Sequence, residues 1–260
     1  THHSVKILKD LGVWSYISTQ LISEIKEARV LNGDSHYSLN FNHREIQKES
    51  LGYLIPNYLM RKKLFKKLKN TPNVTLIDRT ECISIDNSKR FSSILLSNGK
   101  QIQASLVVAS DSRFSKMRSK MGISAFIRDF DKNMIVCRMK HEKPHNNIAY
   151  EFFRYFQTQA SLPYIKNQSS IITTVPKDES SILMKINKKK FDREIQDNFN
   201  NFFGKMELIG KRYSYPMFTT YSKRFISHRF ALIGDAAVGM HPVTAHGFNL
   251  GLKGLEILIK

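Results

Sequence analysis

Two aspartates in this chain stand where carboxylates do chemistry. Asp235 follows the apolar run 229–233 (Arg-Phe-Ala-Leu-Ile) through Gly234, and Asp111 follows the run 105–109 (Ser-Leu-Val-Val-Ala) through Ser110. Short apolar runs of this kind read as buried strands. Asp235 therefore falls at the carboxyl end of a strand, where open α/β sheets bind ligands. A carboxylate there can accept hydrogen bonds from a polyol or a ribose. Ala236 and Ala237 keep the neighbouring surface low, Pro242 stiffens the loop that follows, and Gly247 permits a backbone turn closed to larger residues. Residues 248–259 place apolar side chains at helical spacing, with Gly251 and Gly254 allowing close packing. The N-terminus of that helix points N–H groups and a positive dipole end back at the loop, which suits a ligand that becomes anionic.

The run 234–252 reads Gly-Asp-Ala-Ala-Val-Gly-Met-His-Pro-Val-Thr-Ala-His-Gly-Phe-Asn-Leu-Gly-Leu. It resembles the second flavin-binding motif of the aromatic-ring flavoprotein monooxygenases. The closest likeness is to the ubiquinone-biosynthesis hydroxylases and, within them, the 5-demethoxyubiquinol hydroxylase branch. His246 stands where many relatives have Gln, and His titrates near neutrality while Gln does not. The segment 110–118 (Ser-Asp-Ser-Arg-Phe-Ser-Lys-Met-Arg) is similar to the family's Ala-Asp-Gly-x-x-Ser-x-x-Arg motif. Asp111, Ser115 and Arg118 match in order and spacing, while Ser112 replaces the glycine. The resemblance implies that Asp111 orders the cofactor diphosphate, and Ser115 is suited to cap a helix. Arg61 and Leu64 match an Arg-x-x-Leu element that lies near the flavin pyrophosphate in relatives; the alternative is one more solvated cation in a lysine-rich helix. A planar guanidinium suits phosphate. The implied cofactor-binding set is thus Arg61, Asp111, Asp235, Pro242, Gly247, Phe248 and Asn249. No residue is assigned as a catalyst, and His241 and His246 are read as structural ahead of catalytic.

The resemblance implies FAD as cofactor, NAD(P)H as reductant and O₂ as oxidant, with hydroxylation of the ring of a demethoxyubiquinol-like precursor. It further implies a polyprenylated quinol substrate, other ubiquinone-biosynthesis proteins as partners, and a cytoplasmic location with peripheral contact at the inner face of the membrane. The family's Gly-x-Gly-x-x-Gly turn is missing, since none of the 12 glycines fall at that spacing. An N-terminally truncated hydroxylase is therefore expected. Two alternatives stay open: an inactive remnant or half of a split flavoenzyme, and a basic module that binds membrane or nucleic acid. Asp111, Asp235 and Gly247 favour flavin ancestry over the basic module.

At 260 residues and 41% hydrophobic content the chain can bury a substantial core. No apolar run reaches the ~18 residues of a membrane span. The net charge of +19 is scattered over single lysines and short clusters, without the basic-aromatic pattern of an RNA-binding motif, so no nucleic-acid partner is expected. Cys82 and Cys137 fall in apolar runs and read as buried free thiols. Nothing places Cys or His at zinc spacing, and a metal-free site is expected.

The resemblance implies an α/β chain with α+β elements: an incomplete Rossmann-like FAD-binding domain (1–20, 57–121, 222–260) with an inserted mixed or antiparallel-sheet substrate domain (21–56, 122–221). Asn32-Gly33 predicts a hairpin. Residues 51–56 read as extended, and 58–69 as a helix with Leu59, Leu64, Phe65 and Leu68 inward. The runs 74–77, 81–85, 93–97 and 101–104 predict a meander, with turns at 86–88 and Asn98-Gly99. Strands are expected at 133–139, 148–156, 169–175 and 207–213, and a covering helix at 191–203. Tyr150, Phe152, Phe153, Tyr155 and Phe156 read as core or, alternatively, as the lining of a ring pocket. Gln157-Thr158 replaces the family's Gly-Pro ahead of Leu162-Pro163, in the segment that lies over flavin and substrate in relatives.

Overall fold

The computed structural model describes residues 1–33, 35, 37–87, 90–241 and 246–260. The chain begins with α1 (His2–Asp10), β1 (Ser23–Ile25), β2 (Glu27–Asn32), β3 (Ser38–Asn42), β4 (Gly52–Leu54) and α2 (Asn57–Lys69). Next come β5 (Cys82–Asp86), β6 (Ser92–Leu96), β7 (Gln101–Ala104), β8 (Val107–Ala109) and α3 (Lys116–Lys120). They are followed by β9 (Ala125–His141), β10 (Ile148–Phe153), β11 (Thr158–Pro163), β12 (Gln168–Pro176), α4 (Lys177–Lys185) and α5 (Lys188–Asn198). The last are β13 (Met206–Ser222), β14 (Ile226–Ser227), β15 (Phe230–Leu232), β16 (Val238–Gly239) and α6 (Gly247–Leu258). Two compact units result, one of Thr1–Leu68 with Asp131–Met217 and the other of Lys69–Phe130 with Phe218–Lys260.

The first unit is built on a mixed sheet in the order β13-β9-β12-β11-β10-β2-β3. Strict alternation of buried and half-buried residues along β12 follows from the period of two in a strand. One face carries Ile135, Cys137, Met139, Ile171 and Val175, which pack against Leu183, Phe191, Ile195, Phe199 and Phe203 from α4, α5 and the turn after them. Each such side chain contributes roughly 1.5–3 kcal/mol on burial. Tyr150 and Phe152 belong to this core, the first of the two readings that the sequence left open. Burial also pushes the Cys137 thiol up to about 12. Asn32-Gly33 turns β2 back on β3 as expected, with Gly33 at φ +56°. The helix expected at 191–203 begins earlier and ends at Asn198, and α4 and β11 were not foreseen.

A second core joins α1 to α2 through Leu8, Val13, Ile17, Leu59 and Met60. That packing lies within the first unit, which holds Thr1–Leu68. Leu59 and Leu64 turn inward as expected and Met60 joins them, while Phe65 and Leu68 are exposed.

The other face of the sheet carries a carboxylate on an interior strand, Glu151, between Val30 and Ala160 at the same register. Burial alone pushes it up from 4.5 to about 7. Between those values the folded chain holds a proton that the unfolded chain has lost, so stability falls as pH rises through this window and stays lowered above it. Replacing Glu151 with Leu is expected to raise stability at about pH 8 by roughly 1–2 kcal/mol, after discounting for solvent screening of a partly exposed group. Denaturant melts should show the gain shrinking towards zero as pH falls to the ordinary carboxylate range. An equal gain at every pH would mean that packing, and not ionisation, sets the difference.

The second unit holds a sheet ordered β14-β15-β8 and an antiparallel meander β5-β6-β7. Phe230 and Leu232 of β15 are buried with Ala109, Met117, Ile123 and Ala236. Residues 74–77 form no strand, and Val74, Leu76 and Ile77 are each 44% exposed. An apolar run supplies β propensity but not the partner edge that makes a strand. Cys82 is half-buried and free, and burial raises its thiol. Among the described residues no group of His, Cys, Asp and Glu could hold a metal ion, and no helix is long and apolar enough to cross a membrane.

Candidate cofactor site

The second unit brings the two aspartates of the sequence motifs to neighbouring strand ends. β15 and β8 pair in parallel, with Phe230 opposite Val107 and Leu232 opposite Ala109. The pairing continues as Ile233 donates its N–H to the Ala109 carbonyl at 3.0 Å. Asp111 and Asp235 thus leave the sheet at the same end, the carboxyl end where doubly wound sheets bind ligands.

Asp111 is committed to its own loop. Its Oδ1 accepts from Ser115 Oγ at 2.5 Å and its Oδ2 accepts from the Met117 N–H at 3.1 Å. Ser115 in turn caps α3, accepting from the Arg118 N–H at 2.9 Å. Ser112 occupies the left-handed region at φ +82°, a conformation that glycine adopts freely. The loop keeps the backbone path and takes the steric cost of a side chain, on the order of 1 kcal/mol. Ser112→Gly is expected to raise stability by about 0.5 kcal/mol, because glycine's larger unfolded entropy offsets part of the relief. A lower denaturation midpoint would show that the serine makes a compensating contact.

Asp235 is half-buried, and it leaves one carboxylate oxygen open. It lies in a single 3-10 turn, Gly234–Ala236, and its Oδ2 pairs with Arg113 Nη2 at 3.2 Å. Arg113 also donates through Nη1 to the Phe218 carbonyl at 3.3 Å. Asp235 Oδ1 has no partner among the described residues. A Cβ placed on Gly247 would lie 4.0 Å from that oxygen, and one on Gly251 3.5 Å from the Gly234 Cα. Both are ordinary van der Waals separations, so the start of α6 lies against the turn and neither glycine is required for it. α6 starts after His246, which makes no side-chain cap hydrogen bond. A free carboxylate oxygen beside a helix start without a side-chain cap fits a hydroxylated chain attached to a group that takes up negative charge.

Arg118 ties the two motifs together. It is 3% exposed, and it donates from Nη1 to the Ala236 carbonyl at 2.9 Å and from Nη2 to the Arg113 carbonyl at 3.0 Å. Ser222 Oγ shares the Ala236 carbonyl at 3.0 Å. Sequence reading matched Arg118 to a motif without foreseeing this clamp, and it missed Arg113. The sequence signal for Arg113 is an arginine two residues after a strand-end aspartate; its partner lies 122 residues away.

The remaining expected residues are placed as follows. Phe248 is half exposed and Asn249 half-buried in the first turn of α6. His241 lies edge-on to Phe130 with ring centroids 4.7 Å apart. Pro242 lies outside the described residues. Arg61 is exposed on α2 in the first unit, while the other described members of the set belong to the second. α6 buries none of its residues, and with β14 and β15 it lines an apolar cavity of about 790 Å³ that includes Phe225, Leu232, Leu250 and Ile257. Of the two glycines expected to allow close packing, Gly251 lies against the Gly234 turn and Gly254 has nothing within 4 Å.

A family model described as "FAD binding domain" matches residues 1–258. The chain is 38% identical over 264 residues to a protein of Neisseria meningitidis named "Ubiquinone hydroxylase UbiM", covering 100% of this chain and 57% of that one. It is 31% identical over 253 residues to "Ubiquinone hydroxylase UbiL" of Rhodospirillum rubrum, covering 97% and 58%. The chain thus spans less than two thirds of the length of these relatives. Its fold is similar to that of pqsL, described as a probable FAD-dependent monooxygenase from Pseudomonas aeruginosa. That likeness has a TM-score of 0.81 at 17% identity and covers 98% of this chain and 72% of the other.

Proposed function

We propose, from the premise that the chain belongs to the FAD-binding domain family, that this protein hydroxylates the ring of a polyprenylated ubiquinone precursor with NAD(P)H and O₂. The observation that carries the reading is the pairing of Asp235, with its free Oδ1, and the start of α6 at the carboxyl end of parallel strands. When bound, FAD supplies the redox chemistry that the side chains lack. The chain's own residues bind, orient and shield. Asp235 Oδ1 accepts a hydrogen bond from the cofactor's polyol, and the α6 N-terminus favours negative charge on the ring system. Asp111, Ser115 and Arg118 hold the loop that faces the diphosphate. Gly247, Phe248 and Asn249 form the surface against the ring, with Pro242 in the same motif. Arg61 contributes a guanidinium fork for phosphate.

In this reading residues 1–20, 57–121 and 222–260 serve the cofactor, and 21–56 and 122–221 serve the substrate. The net charge of +19 supports peripheral contact with an anionic membrane, where a polyprenyl chain resides. Other ubiquinone-biosynthesis proteins are partners in the same proposal. The test supplies the full-length gene product with FAD, NADH or NADPH, O₂ and a short-chain demethoxyubiquinol. A product carrying one added ring oxygen, formed in proportion to nicotinamide consumed, is expected. Nicotinamide oxidation that yields only hydrogen peroxide and is not stimulated by the quinol would overturn the assignment.

A further inference from the structure

In the first unit, one line of residues crosses six strands of the large sheet on the face opposite α4 and α5. In register it reads Leu39, Val30, Glu151, Ala160, Ile172 and Val136. Directly paired residues share a face, so a single carboxylate stands in the middle of an otherwise apolar row. Leu39 is 59% exposed, and Phe41, opposite Ala28 on the same face, is 46% exposed. Glu151 lies on the interior strand β10, so it is not an edge charge of the kind that deters strand pairing.

Nothing in the fold accounts for the carboxylate. Glu151 has neither a hydrogen bond nor an ion pair among the described residues, and burial is the sole cause of its raised protonation range. Its neighbours on the face, Ala28, Ala149, Phe153, Thr158 and Leu162, do not titrate. Arg29 and Glu27 pair with each other at positions of the opposite face, in register with Tyr150 and Ile148. β1, which packs on β11, brings Glu24, itself paired with Lys26. Arg138, two strands beyond β11, stacks over Tyr164. A leucine in place of Glu151 would match the row and remove a desolvation cost, so the carboxylate is explained by something that it binds.

We infer that this face receives the hydroxylated ring of the substrate, with the Glu151 carboxylate accepting a hydrogen bond from a ring hydroxyl. The inference rests on the hydroxylase reading above and names the chain's own group for the ring. The apolar row takes the ring edge and the prenyl chain, with small Ala160 and Ala28 flanking the carboxylate. A neutral hydroxyl donor suits a carboxyl that titrates near neutrality; the hydrogen bond strengthens when the group is ionised.

The test measures binding of 2-geranylphenol and of its methyl ether to the FAD-loaded full-length gene product by calorimetry, from about pH 5.5 to about pH 8.5. The wild-type protein is expected to bind the phenol about tenfold more tightly at the upper end, and the ether equally at both. Glu151→Gln and Glu151→Leu are expected to lose the pH dependence for the phenol and keep the affinity for the ether. If Glu151→Leu fails to fold, Glu151→Gln alone decides. Wild-type binding of both compounds that is flat with pH, or a Glu151→Gln variant that keeps the pH dependence, overturns the Glu151 assignment and leaves the hydroxylase reading standing. A wild-type protein that binds neither compound overturns both.

Discussion

Replacing Arg118 with alanine is expected to lower stability by about 3 kcal/mol and to weaken FAD binding at least tenfold. The guanidinium is buried and joins the Ala236 carbonyl to the Arg113 carbonyl. Each charge-assisted hydrogen bond contributes about 1.5–3 kcal/mol, and its loss leaves a carbonyl short of a donor. Ser222 Oγ still serves Ala236, so the damage centres on the Arg113 carbonyl and on the loop that presents Arg113 to Asp235. Lysine keeps the charge but cannot reach two carbonyls with a planar fork, and should recover about half of the stability. Denaturant melts and flavin titrations of Arg118→Ala and Arg118→Lys check both quantities. An alanine variant as stable as wild type would mean that the two motifs do not depend on this clamp.

Asp235→Ala should separate binding from stability. The Asp235 pair with Arg113 is partly exposed at 3.2 Å, so its removal costs no more than about 1 kcal/mol of stability. The free Oδ1 is different, because in the proposed function it accepts from a hydroxyl donor on the ligand. Losing a hydrogen bond to a charged group costs about 1.5–3 kcal/mol, which is roughly 10- to 100-fold in flavin affinity. Asp235→Asn keeps an acceptor oxygen and should fall between the two. Melting curves and Kd values measured on the same preparations check the contrast. A large stability loss with unchanged flavin affinity would assign Asp235 to the fold and not to the cofactor.

Much of this was legible because the site is local in sequence. Asp235, Gly247 and the start of α6 lie within one strand-turn-helix passage, and the motif 110–118 carries its own cap in Ser115. Turn chemistry at Asn32-Gly33 and alternation in β12 likewise act over a few residues. What depended on distant partners was not legible. Arg113 finds Asp235 only because β8 and β15 become neighbours, and a run such as 74–77 cannot announce that it will have no strand partner. Tyr150 and Phe152 were ambiguous because strand alternation says which residues share a face, not which face the helices will cover. Ser112 shows the converse: the sequence departs from glycine, yet the backbone keeps glycine's conformation.

The central claim is that the second unit's paired motifs hold FAD. The most direct measurement is an FAD titration of the full-length gene product, wild type beside Asp235→Ala, followed by the visible spectrum of bound flavin after free cofactor is removed. The account predicts a retained and spectrally perturbed flavin for wild type and a colourless or weakly loaded Asp235→Ala of near-normal stability. Equal retention by both proteins, or none by a folded wild type, would contradict it.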